Sequence, residues 1–80
     1  MDKAEFTKFV QNIPKNRAVF KVTSVPSWAS VFVDFDVAVG DICYSISGAQ
    51  RHYTVFNVRT KQKQGGLFEH LEFIRYEPDV

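Results

Sequence analysis

Asp34 and Asp36, the single Cys43, and His52 and His70 are the residues of this chain whose types could do chemistry. Asp34 and Asp36 alternate with Phe35, which on a β-strand puts both carboxylates on one face. Such a pair could seat a divalent cation or divide the roles of acid and base. No histidine or further acid stands at ligand spacing, and only Asp41 follows nearby. A solvated strand face, with Asp paired to Lys21 or Arg59 on neighbouring strands, fits better. Cys43 with His52 or His70 could form a nucleophile and its base. The chain offers no cysteine-enzyme signature, no helix N-terminus at Cys43 and no orienting group. A small buried thiol is expected there. Metal ligation by His52, His70 and Cys43 fails on spacing. Gly65-Gly66 is a bare pair without a phosphate-loop pattern. A protein that is not an enzyme, with no metal and no cofactor, is the expectation.

Binding chemistry is better represented. Arg51, Arg59, Lys61 and Lys63 are interleaved with His52, Tyr53 and Phe56. Aromatics on a sheet stack bases while cations at its rim hold phosphates, so residues 51–63 could take single-stranded nucleic acid. Acidic flanks on both sides oppose that reading. Protein binding is the broader one, because Arg, Tyr and Trp dominate interface energetics. At 15% aromatic residues, a core of this size cannot hide every ring. Trp28, Tyr44, Tyr53, Phe68 and Tyr76 are expected at the surface. The expected partner-binding set is Arg51, Tyr53, Arg59, Lys61, Lys63, Trp28 and Tyr44. The chain then acts by occupying a macromolecular surface, as an inhibitor, adaptor or assembly component, virus-encoded accessory proteins included. A protein partner is expected first, nucleic acid is the alternative, and an exposed strand edge would permit a homodimer.

Composition sets the frame. Eighty residues with 45% hydrophobic side chains make one domain with a core and argue against disorder. The net charge of +1 marks neither a strongly basic nor a strongly acidic chain. Charge alternates in blocks: basic over 1–30, acidic at Asp34, Asp36 and Asp41, basic over 51–63, acidic after Gln64. One cysteine excludes an internal disulfide and fits a reducing compartment. With no apolar run of signal-peptide or membrane-spanning kind, a cytoplasmic protein with no membrane partner is expected.

Periodicity supplies the elements. Asp2 and Glu5 read as a capping box for a helix over about 2–13, with Phe6, Phe9, Val10 and Ile13 on one face and Pro14 ending it. Strands are expected over about 18–23, 30–39, 42–47, 52–60 and 67–76. In the second, Val31, Val33, Phe35, Val37 and Val39 form the core face. In the fourth, Thr54, Phe56 and Val58 form the core side. The Lys61–Gly66 stretch reads as a mobile hairpin tip. Leu67–Tyr76 fits a helix through Leu67, Leu71 and Ile74. It fits a strand with Leu67, Leu71 and Phe73 on one side and Phe68, Ile74 and Tyr76 on the other. The glycine loop favours the strand. The fold class is α+β, a short N-terminal helix packed on a five-stranded, mainly antiparallel sheet. That sheet is strongly bent or closed into a small barrel. The Val39-Gly40-Asp41 turn, the tyrosine-led strand after it and the glycine hairpin resemble small SH3-like barrels.

Overall fold

Asp2 starts helix α1 (Lys3–Gln11) with the expected cap. Its Oδ1 accepts the Glu5 N–H at 2.8 Å and its carbonyl accepts the Phe6 N–H at 3.0 Å. Two donors that a helix start leaves unpaired are thereby satisfied. The structure is a computed structural model that describes residues 1–11, 16–46 and 53–78. Ile13 and Pro14, the end of the expected 42–47 strand, and Arg51 and His52 lie outside the described residues. A helix this short needs docking to persist. Phe6 stacks on Phe20 with ring centroids 5.3 Å apart, and Phe9 lies parallel to Phe73 at 4.2 Å.

The helix packs on five antiparallel strands: β1 (Asn16–Val22), β2 (Ile42–Ser45), β3 (Val55–Asn57), β4 (Gln62–Gln64) and β5 (Leu71–Pro78). Their order is β4-β3-β2-β1-β5, so β4 and β5 are edges and the sheet stays open rather than closing into an SH3-like barrel. Buried Phe6, Ala18, Phe20, Val22, Cys43, Val55, Leu67 and Leu71 form the core between helix and sheet.

Four sequence expectations are corrected. Residues 30–39 are not a strand: Ser27–Val31 is a 3₁₀ helix, and a turn follows in which the Phe35 N–H donates to the Phe32 carbonyl. Of the supposed core face, only Phe35 and Val37 pack on the core, while Val33 is 99% exposed. The missing strand is supplied by Gln62–Gln64, read from sequence as a loop. The 52–60 strand shortens to β3 with its faces reversed: Val55 and Asn57 are buried and Phe56 lies opposite. Finally, Leu67–Tyr76 opens with a 3₁₀ turn at Phe68–His70 before β5 begins. In β5, Ile74 is an extra residue between the Val19–Arg75 and Phe20–Phe73 pairs. That bulge places Phe73 and Tyr76 on one face, where both rings meet Phe9.

Candidate functional site

A network of polar side chains ties the 32–41 segment to the β3–β4 hairpin. Arg59 donates to Asp41 from Nε at 2.6 Å and from Nη2 at 2.9 Å, and to Asp36 from Nη2 at 2.9 Å. The Asn57 amide donates to Asp41 Oδ2 at 3.0 Å and to Gln64 Oε1 at 3.1 Å. Gln64 Nε2 donates to the Asp36 carbonyl at 2.6 Å, and Gln62 Nε2 to the Asp34 carbonyl at 3.1 Å. The Ala38 N–H donates to Asp41 Oδ2 at 2.8 Å. Side chains thus take the backbone groups that a strand partner would have taken, which is why this apolar alternation forms no ladder.

Asp41, Asn57 and Gln64 are buried, yet each has its partners. Hydrogen bonding from Arg59 outweighs burial and, with Asn57 and the Ala38 N–H, holds the Asp41 carboxyl down at about 2. The same guanidinium lowers Asp36, and the two carboxylates raise Arg59. Arg59 thereby clamps Asp36 and Asp41 to the turn after β3.

The network leaves an apolar loop standing out from the body. Val31 is 74% exposed and Phe32 56% exposed, with Val33 at the turn's tip. Trp28 supports it from behind, edge-on to Phe32 and Phe35, with its ring close to Gly66. Between residues 31–35 and β4 runs an open cleft of about 620 Å³, with Lys63 at its rim.

The expected binding residues do not form one site. Tyr53 is half-buried against Phe6 and Phe68, with Lys3 Nζ 5.0 Å from its ring centroid. Tyr44 is on the sheet face away from the helix, with the Arg17 guanidinium 3.7 Å over its ring. Lys61 is exposed in the β3–β4 turn at φ 58°, and Lys63 is exposed on β4. Trp28 and Lys63 border the loop and cleft; Arg51 is outside the described residues. Phe68 is half-buried, and Tyr76 is exposed as expected. The alternation of Val31 and Val33 imitates a core strand, which hid both as surface residues, while Phe32 fell on the opposite face. Arg17 was missed because the first strand was expected to begin at Ala18, whereas β1 begins at Asn16.

Cys43 is buried on β2, and burial, with Asp41 adding to it, pushes its thiol up to about 12. Among the described residues no group of three or more His, Cys, Asp or Glu is placed to hold a metal ion. No described helix is long and apolar enough to cross a membrane. Comparison with protein-family models, curated proteins and solved structures finds no match.

Proposed function

We propose that this protein is a non-catalytic binding protein that occupies the surface of a partner protein with its 31–35 loop. The observation that carries this reading is Val33, 99% exposed at the tip of a turn held from beneath by side-chain hydrogen bonds. Exposed Val31 and Phe32 beside it make a contiguous apolar knob, the kind of surface that marks interaction sites. Holding the knob in one conformation lowers the ordering cost of binding. The adjoining cleft receives apolar side chains of the partner, and Lys63 at its rim, with Lys61 in the nearby turn, meets carboxylates around them. The partner surface is thus apolar with an acidic border. Function as an inhibitor or adaptor follows from covering such a surface.

Native affinity capture with the full chain, run beside Val33→Asp, tests the reading. Wild type should retain a stoichiometric protein that the variant releases, with circular dichroism unchanged between the two. Recovery of wild type alone, or a partner retained by the variant, overturns it.

A further inference from the structure

We infer that the sheet face opposite the helix is a second binding site, for single-stranded nucleic acid. Strand register builds one row straight across this face. Lys63 on β4 pairs with Phe56 on β3, Phe56 with Tyr44 on β2, Tyr44 with Val19 on β1, and Val19 with Arg75 on β5. Directly paired residues share a face, so two aromatic rings lie side by side, with Val19 fully buried next to Tyr44 and a cation at each end of the row. Phe56 and Tyr44 are both half-buried. The Arg17 guanidinium lies 3.7 Å over the Tyr44 ring and covers that face of it, so a base arriving here meets the guanidinium. Bases stack on aromatic rings and on guanidinium planes alike.

The charges select a polyanion. Arg17, Lys21, Lys63 and Arg75 share this face with Glu72 and Glu77. Glu77 is contacted by two guanidinium groups, Arg17 at 3.6 Å and Arg75 at 2.7 Å, so one carboxylate is divided between two cations. Lys63 makes no ion pair among the described residues. A second copy of the chain fits this face poorly. A two-fold axis along the strands sets the Lys63 end of one sheet on the Arg75 end of the other. An axis along the row sets like on like; both place cation on cation. A phosphate backbone crossing the row meets Lys63 at one end and, at the other, Arg75, which is already hydrogen-bonded to Glu77, with its bases over Phe56 and the Arg17–Tyr44 stack.

Fluorescence anisotropy with a labelled oligothymidylate about 12 nucleotides long tests the assignment on the full chain. Binding should appear at about 50 mM salt and weaken on a log–log plot towards 200 mM. Lys63→Ala should flatten that slope by about 0.7, the contribution of one neutralised phosphate on a single strand. Phe56→Ala, checked for folding by circular dichroism, should weaken binding about tenfold. A duplex of equal length, whose bases are already stacked, should bind more weakly. Val33→Ser, which adds no charge across the cleft from Lys63, should leave the affinity unchanged, which separates this face from the loop. Absence of binding at low salt, preference for the duplex, or indifference to both Lys63→Ala and Phe56→Ala overturns the inference.

Discussion

Arg59 and Asp41 meet through two hydrogen bonds, Nε to Oδ1 at 2.6 Å and Nη2 to Oδ2 at 2.9 Å. The contact joins the turn after β3 to the residue that precedes β2, and Asp36 is held on the same guanidinium. Asp41 titrates at about 2 in the folded chain against 3.8 ordinarily. The unfolded chain therefore binds the proton first as pH falls. Asp41's contribution to stability is fully present above pH 4 and disappears as pH drops through 2. With solvent screening at half-exposed Arg59, that contribution is on the order of 1 kcal/mol. Urea denaturation of wild type and Asp41→Asn at several pH values should show the difference at pH 6 and its loss near pH 2.

Cys43 should be inert while the protein is folded. Its thiol is buried on β2 and raised to about 12, so almost no thiolate exists at neutral pH. Ellman's reagent at pH 8 should react only as fast as the chain opens, and at once in denaturant. Rapid labelling of the native protein would show that Cys43 reaches solvent.

Lys61 sits in the left-handed region at φ 58°, and its N–H donates to the Asn57 carbonyl at 2.8 Å to close the β3–β4 turn. A side chain there costs roughly 1 kcal/mol, which glycine avoids at the expense of a looser unfolded chain. Lys61→Gly should raise stability by about 0.5 kcal/mol, read as a higher urea midpoint at constant slope. A lower midpoint would mean the lysine side chain is held in place.

The helix and the β1–β2 core were legible because their patterns are local: Asp2 caps, Phe6 and Phe9 repeat at helical spacing, and Phe20 and Val22 alternate. The segment 30–39 misled because alternation cannot reveal whether a strand partner exists. Here Gln62 and Gln64 take the carbonyls of Asp34 and Asp36, and the fifth strand goes to a polar stretch without apolar alternation. Phe56 was assigned to the core because aromatic residues usually are. Its neighbour Asn57 is buried instead, capping the turn by accepting the Arg59 N–H at 3.0 Å. That swap moved an aromatic to the outer face and with it a candidate site.

Gln64 is the residue that couples this polar core to the exposed loop. Its Nε2 donates to the Asp36 carbonyl at 2.6 Å while its Oε1 accepts from Asn57. Gln64→Leu is close in size but removes these bonds and the one to Gln62 Oε1, leaving a buried amide donor on Asn57 unsatisfied. A loss of about 1–3 kcal/mol is expected. The loop should loosen before the sheet does, since it has no strand ladder of its own. Hydrogen exchange should accelerate at the Phe35 and Ala38 amides, whose acceptors are Phe32 and Asp41, and stay slow in the β1–β2 ladder. A loop that must be ordered on contact binds more weakly, so the captured partner should dissociate faster from Gln64→Leu than from wild type. Equal exchange throughout, or an unchanged dissociation rate, would mean the loop is held from elsewhere.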